Sequence, residues 1–217
     1  PSGLPGLGSI HILGYGINIE NSALKKTLTD LQYYRKERNP LIIDKLKSLG
    51  IDISLQSVKR ESGNCRLSRP HIAKYLVKHG IVGSIDEAFD KLLAKGKPGY
   101  VEKTRIPYES AIQLILEAGG LPVLAHPFLL RIDTPTRLEE LILSLKKIGL
   151  SGIEVYYPEH SRKDTQLYAN LAKKHNLLMT GGTDFHGRNK PEIRMGSGTG
   201  DFFVPYELFE KLSALCN

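Results

Sequence analysis

Cysteine is scarce in this chain, which has Cys65 and Cys216 far apart among its 217 residues. The spacing excludes a disulfide framework and a C-x-x-C zinc site, so we expect two plain thiols. The chain also lacks any apolar run near the roughly 20 residues that a bilayer span needs, and its first residues do not resemble a signal peptide. We therefore expect a soluble, cytoplasmic protein with no membrane partner.

Two common catalytic motifs are missing as well. No serine or cysteine lies in a G-x-S-x-G turn, and no G-x-x-x-x-G-K-[ST] phosphate loop is present. These absences favour hydrolysis by a metal-activated water over covalent catalysis or nucleotide-driven work. The chain begins at Pro1 instead of a methionine, from which we expect a fragment, a processed form or an edited version of a longer protein.

Positive charge is concentrated in the middle of the chain. The net charge is +7 with a pI near 9.3, which favours polyanionic partners such as nucleotides or nucleic acid. Residues 22–106 contain 18 Lys and Arg against 9 Asp and Glu, so the remainder is slightly acidic. The basic segment also differs in pattern from its surroundings, because it is helix-prone throughout and lacks strand-like runs.

This contrast predicts an α/β fold with an all-helical insertion. Residues 1–20 and 107–217 form the α/β portion, and residues 21–106 form the insertion. After Pro107, helices alternate with short apolar strands that start near 121, 152 and 177, which is typical of βα units. Within the insertion, we expect Asn39-Pro40 to kink or split a long helix, and residues 84–94 to form a helical stretch that opens with a capping box.

Polar residues follow each of the three predicted strands. Asp184 and His186 follow the last strand; if its extended geometry continues, both face one point while Phe185 turns into the core. His126 and His160 follow the other two strands. Because the chemistry of βα folds lies at the carboxyl ends of the strands, we expect these groups to share a site.

Each of these residues also has an ordinary structural interpretation. A D-x-H can be a polar turn, and a strand histidine such as His11 is commonly a core or cross-strand residue. Together, imidazoles and a carboxylate without nearby cysteines suit Zn²⁺, Mn²⁺ or Fe²⁺. Paired ions of this kind bind a phosphate oxygen and acidify a water, so the pattern predicts metal-assisted phosphate ester hydrolysis.

A second candidate group lies in the insertion, at Ser68-Arg69-Pro70-His71. Proline favours the first turn of a helix, which places Arg69 at a helix start where free N–H groups already attract anions. An arginine there suits bidentate binding of phosphate. The alternative is an exposed arginine that happens to lie beside a helix start.

Five motifs in order resemble the PHP (polymerase and histidinol phosphatase) superfamily. They are His11-Ile-Leu-Gly-Tyr-Gly16, Ser68-Arg-Pro-His71, Ala125-His126-Pro127, Tyr156-Tyr-Pro-Glu-His160 and Gly182-Thr-Asp184-Phe-His186-Gly187. The branch they resemble is that of nucleoside 3′,5′-bisphosphate phosphatases and 5′-to-3′ exoribonucleases, TrpH-like metal-dependent phosphoesterases. The resemblance implies a portion of a distorted seven-stranded β/α barrel, with up to three divalent ions at the carboxyl rim. Mn²⁺ is the expected ion, with Zn²⁺, Fe²⁺ or Mg²⁺ as alternatives.

The resemblance also assigns roles residue by residue. The implied metal ligands are His11, His126, Asp184 and His186, of which the last three are also the implied catalytic residues. The implied substrate-binding residues are Arg69, His71, Tyr157 and His160. The basic insertion would then act as a lid over an anionic substrate, a nucleoside bisphosphate or an RNA 5′ end.

One part of the family pattern is absent. The family opens with an H-x-H and a following aspartate, then an Asp-His and a glutamate, and no histidine or acid precedes His11 here. We expect that N-terminal βα units are missing and that about half of the ligands are present, which leaves open whether this chain is active alone. Two other functions remain: a nucleotide- or RNA-binding module without metals, and an amidohydrolase-like barrel.

Overall fold

The computed structural model describes residues 8–63, 67–187 and 191–216. The chain divides into two compact units: a sheet unit, Pro1–Lys25 with Ile106–Asn217, and a helical unit, Lys26–Arg105. Cys216 is a free thiol, and Cys65 lies outside the described residues. No helix in the described ranges combines the length and the apolar character that crossing a membrane requires.

Among the described residues, the sheet unit is built on four strands. These are β1 (Ile12–Tyr15), β2 (Leu121–Leu124), β3 (Gly152–Tyr156) and β4 (Leu178–Gly181). They lie side by side in chain order; β1 pairs antiparallel with β2, and β2, β3 and β4 are parallel. The predicted βα alternation is therefore confirmed, and the three parallel strands end at one edge of the sheet.

Helices connect and cover the strands. The sheet unit contains α5 (Tyr108–Glu117), α6 (Pro135–Lys147), α7 (Arg162–Lys174) and α8 (Tyr206–Leu215), and a 3₁₀ turn follows β2 at Pro127–Leu130. Helix α6 begins where the Thr134 hydroxyl accepts the Arg137 N–H, and α7 begins with a capping box between Ser161 and Asp164.

One face of the sheet forms the core with these helices. Ile153 and Val155 of β3 pack in the same buried cluster as Ile142 and Leu145 of α6. Because side chains alternate along a strand, Glu154 points to the opposite face of the sheet from its two neighbours. The core thus fixes which β3 side chains face away from the helices.

The helical unit has its own buried core. Its elements are the greater part of α1 (Ser22–Ser48), then α2 (Leu55–Ser62), α3 (Arg69–Lys78), α4 (Ile85–Ala88) and a π-helical turn at Phe89–Leu93. Ile42, Leu46, Ile72 and Leu76 are fully buried at its centre. The apolar stripe of α1 is therefore matched by stripes on the shorter helices.

The structure bears on two predictions about these helices. Pro40 does not split α1, because burial of Ile42, Ile43 and Leu46 holds the segment after the proline against the core. The expected kink at Asn39-Pro40 stays a prediction. The predicted helical stretch 84–94 is confirmed as helical, with α4 followed directly by the π-helical turn. Its start was correct, since the Ser84 hydroxyl accepts the Glu87 N–H.

Candidate metal and phosphate site

The edge of the sheet where the parallel strands end also holds the start of the antiparallel strand β1. His126 follows β2, and because β1 runs antiparallel to β2, the residue before β1 lies at the same edge. The Ala125 N–H donates to the His11 carbonyl at 3.0 Å, which extends this pairing past the end of the strands. The connectivity therefore explains how His11 reaches the rim from a position far away in the sequence.

His11 and His126 contact each other directly at this edge. His11 Nδ1 lies 3.1 Å from His126 Nε2, and the two rings meet edge to face with centroids 4.9 Å apart. Two imidazole nitrogens that bind one ion at about 2.0–2.1 Å with near-tetrahedral geometry lie about 3.3 Å apart. The pair therefore fits two ligands of one divalent ion.

The backbone of His126 has an unusual conformation. Its φ of 27° and ψ of 67° lie in the left-handed region, which residues with a Cβ rarely adopt. The Glu154 Oε2 accepts the His126 N–H at 2.7 Å and so holds this turn. Strained backbone of this kind is typical of functional sites, where surrounding contacts compensate for its cost.

Glu154 itself is a buried acid that the sequence analysis did not identify. Its side chain is 4% exposed, and burial raises its pKa to about 7, with the charge of Asp184 adding to the shift and the His126 N–H opposing it. The available signal was a glutamate in the middle of the otherwise apolar strand β3. This carboxyl group links the rim residues that follow β2 and β4.

Asp184 and His186 lie close together, but not for the predicted reason. Strand β4 ends at Gly181, and Asp184 has a φ of 48°, which breaks the extended geometry. Phe185 is consequently 44% exposed, so the prediction that it enters the core was wrong. The turn still leaves His186 Nδ1 at 3.6 Å from Asp184 Oδ1, with a hydrogen bond to the Asp184 carbonyl.

The residues after β3 are turned inward. His160 donates from Nδ1 to the Val155 carbonyl at 2.9 Å, its Nε2 is buried, and burial lowers its pKa. Tyr157 is buried beside the rings of His126 and His160 and donates to Glu159. Burial, followed by the Glu159 carboxylate, raises the pKa of Tyr157. Substrate contact by Tyr157 and His160 stays a prediction, and here the imidazole supports the loop.

Within the described ranges, no three His, Cys, Asp or Glu side chains come close enough to hold a metal ion together. The structure brings together His11 with His126, and Asp184 with His186, as two pairs. The donor types of the two pairs, three imidazoles and a carboxylate, match Mn²⁺, Zn²⁺ or Fe²⁺. Their assignment as four ligands of one cluster stays a prediction.

The helical unit holds the other predicted residues. Arg38, Arg69 and Lys103 line a cavity of about 310 Å³, named here the basic cavity. Arg69 donates to the Leu93 carbonyl at 3.0 Å, and His71 Nδ1 accepts the Ser68 N–H, so the histidine caps helix α3. The structure therefore places Arg69 at an anion-attracting cavity and gives His71 a structural role.

Two arginines in this cavity lie near one another. The guanidinium groups of Arg38 and Arg69 approach the Tyr100 ring at 6.0 and 5.8 Å from its centroid. The pKa of Arg38 is lowered, first by burial and then by the charge of Arg69. Arg38 Nη2 is buried without a hydrogen-bond partner in the described part of the chain. A bound anion would offset the repulsion between the two arginines and would give Arg38 Nη2 a hydrogen-bond partner.

Curated relatives share most of this chain. A 3′,5′-nucleoside bisphosphate phosphatase from Chromobacterium violaceum is 37% identical over 183 residues, 83% of this chain and 64% of its own length. The 5′-3′ exoribonuclease Rnm of Escherichia coli is 32% identical over 86% of this chain and 63% of its own length. The chain therefore spans somewhat less than two thirds of these relatives. No protein-family model matches it.

Solved structures agree with the fold. A Chromobacterium violaceum protein described as an amidohydrolase has 32% identity and a TM-score of 0.70, over 96% of this chain and 72% of its own. The chain belongs to the PHP superfamily. A Bifidobacterium adolescentis protein described as a metal-dependent phosphoesterase is 23% identical with a TM-score of 0.73. At this identity the likeness supports only the fold of this PHP chain.

Proposed function

We propose that this PHP chain is the greater part of a metal-dependent phosphoesterase that acts on nucleotides, either nucleoside 3′,5′-bisphosphates or RNA 5′ ends. The observation that carries the proposal is the contact of His11 with His126 at the carboxyl edge of the sheet, at a separation that suits two ligands of one ion. The names of the relatives supply the substrate classes.

His11, His126, Asp184 and His186 would hold the ions, and Mn²⁺ is the proposed metal. When bound, such ions polarise the phosphoryl group and activate the attacking water. Glu154 keeps His126 in its left-handed turn and so aims the imidazole. The four strands are proposed to be part of a seven-stranded barrel.

The basic cavity is the proposed phosphate-binding part of the helical unit. Arg38 and Arg69 already repel each other there, so a phosphate gains two charge-assisted contacts and removes a like-charge cost. An arginine fork is suited to paired phosphate oxygens, which a lysine cannot match. Arg69 is accordingly proposed to bind substrate phosphate.

The test is Mn²⁺ binding by calorimetry together with phosphate release from adenosine 3′,5′-bisphosphate and a 5′-phosphorylated RNA. We expect Mn²⁺ binding and chelator-sensitive release, and His126→Ala should weaken both. His79→Ala is the matched control, because His79 lies on the surface of the helical unit and pairs with Glu61. Tight Mn²⁺ binding that His126→Ala leaves unchanged would refute the assignment.

The alternative is a nucleotide-binding module without metal chemistry, and the arginines of the basic cavity are what favours it. It predicts nucleotide binding that survives both a chelator and His126→Ala, without phosphate release. Loss of binding in Arg69→Ala alone, with no metal dependence of any kind, would select this alternative.

A further inference from the structure

The helical unit contains a second cavity beside the basic cavity. It has a volume of about 420 Å³ and is lined in part by Tyr33, Leu55 and Lys59; it is named here the tyrosine cavity. Asn39 and Leu67 line both cavities. The two spaces are therefore neighbours on one surface of one folded unit.

The wall between them is a fixed part of the fold. Asn39 is 8% exposed, and its Nδ2 donates to the Leu67 carbonyl at 3.0 Å. This hydrogen bond joins helix α1 to the residue just before Ser68, which begins helix α3. A ligand that fills both cavities would therefore meet them in a set order and at a set spacing.

The tyrosine cavity combines an exposed aromatic ring with apolar side chains. Tyr33 is 59% exposed, and the edge-to-face contact with Tyr34, at 6.0 Å between centroids, restricts its orientation. Pro40 and Leu55 contribute apolar surface to the same cavity. Exposed aromatic rings of this kind bind unstacked bases by their faces, with little dependence on sequence.

The charges around the ring match an anionic chain. Lys36 and Lys59 line the tyrosine cavity with one acid, Glu37, and the basic cavity adds Arg38 and Arg69. Across residues 26–105, 17 Lys and Arg stand against 9 Asp and Glu. Cations grouped around an exposed ring suit a single strand, since they attract its phosphates while a base stacks on the ring.

We propose that the helical unit binds single-stranded nucleic acid, with a phosphate in the basic cavity and the base of a neighbouring nucleotide on Tyr33. Phosphate binding in the basic cavity rests on the proposed function. Stacking of a base on Tyr33 adds a second binding position. A duplex would not fit this position, because its bases are already stacked on each other. The surface therefore favours an oligonucleotide over a mononucleotide.

The experiment measures binding without hydrolysis. Fluorescence anisotropy in EDTA would follow a labelled 5′-phosphorylated single strand, as RNA and as DNA, with the matching duplex and adenosine 3′,5′-bisphosphate as competitors. Tyr33→Ala should weaken single-strand binding about tenfold, the loss of one stacked base, and Tyr33→Phe should retain it. Tyr206→Ala is the control, since it removes a tyrosine that is 65% exposed in the sheet unit.

The outcomes separate this inference from the proposed function. Unchanged single-strand binding in Tyr33→Ala would overturn the inference, as would an equal loss of mononucleotide affinity. If Arg69→Ala weakens both ligands while Tyr33→Ala weakens neither, the phosphate proposal stands and the base position fails. If Tyr33→Ala weakens single-strand binding but the Mn²⁺-loaded chain releases no phosphate, the binding surface stands and the hydrolytic function fails.

Discussion

Replacing Glu154 by glutamine tests whether a buried acid shapes the rim of the sheet. Glu154 is 4% exposed, and its pKa is raised from 4.5 to about 7. A shift of that size corresponds to about 3 kcal/mol between the protonated and charged forms. Glutamine keeps an oxygen that can accept the His126 N–H but never ionises, so it removes the cost of burying the charge and leaves the shape of the side chain.

The direction in which stability changes with pH depends on whether the folded or the unfolded chain holds the proton of Glu154. Below pH 4.5 the acid is protonated in both the folded and the unfolded chain, so it contributes no pH dependence. As pH rises from 4.5 to about 7, the folded chain keeps a proton that the unfolded chain has released, and stability falls. Above that range the whole cost, about 3 kcal/mol, is present in the wild-type chain and absent from Glu154→Gln.

The assay is urea unfolding followed by far-ultraviolet circular dichroism at a series of pH values, with a chelator present because a bound cation would lower the pKa of Glu154. The stability of Glu154→Gln minus that of the wild type should increase by about 3 kcal/mol between pH 4.5 and pH 8. Glu210→Gln removes an exposed carboxylate of α8 as a control. A difference that does not vary with pH would refute the account of Glu154 as a buried, proton-holding acid.

Three further outcomes are expected from single changes. His11→Ala should weaken Mn²⁺ binding in calorimetry without changing the melting temperature of the chelated protein, because its side chain is exposed. Leu76→Ala should lower the free energy of unfolding in urea by about 2–5 kcal/mol, because it leaves a cavity in the core of the helical unit. A smaller loss would show that neighbouring side chains fill the cavity. Gly152→Ala should destabilise the sheet by about 1–3 kcal/mol, because a Cβ there would lie 2.8 Å from the Leu178 carbonyl oxygen; unchanged stability would contradict this close approach.

Local patterns were sufficient for most of the elements. The strands predicted to start near 121, 152 and 177 begin at Leu121, Gly152 and Leu178, because short apolar runs between helices mark buried strands. The capped helix start at Ser84 was also predicted, since a helix start is satisfied by residues three positions apart. These features depend on near neighbours in the chain.

Predictions failed where distant contacts outweigh local tendencies. Pro40 does not split α1, because the residues that follow it are held in the helical core. Phe185 points outward, because Asp184 adopts a left-handed conformation that no sequence period encodes. The hydrogen bond from His160 to the Val155 carbonyl is likewise a contact that no sequence period encodes, and substrate contact by His160 stays a prediction.

The sequence by itself determined the α/β class, the helical character of the middle segment, the concentration of positive charge and the five motifs that resemble the PHP superfamily, because each is written in residue type and spacing. Only the tertiary structure decided which of those residues meet. Antiparallel pairing of β1 with β2 brings His11 to His126, and burial beneath the rim makes Glu154 a proton-holding acid that supports His126. Contacts between residues over a hundred positions apart depend on the folded chain, and no local pattern specifies them.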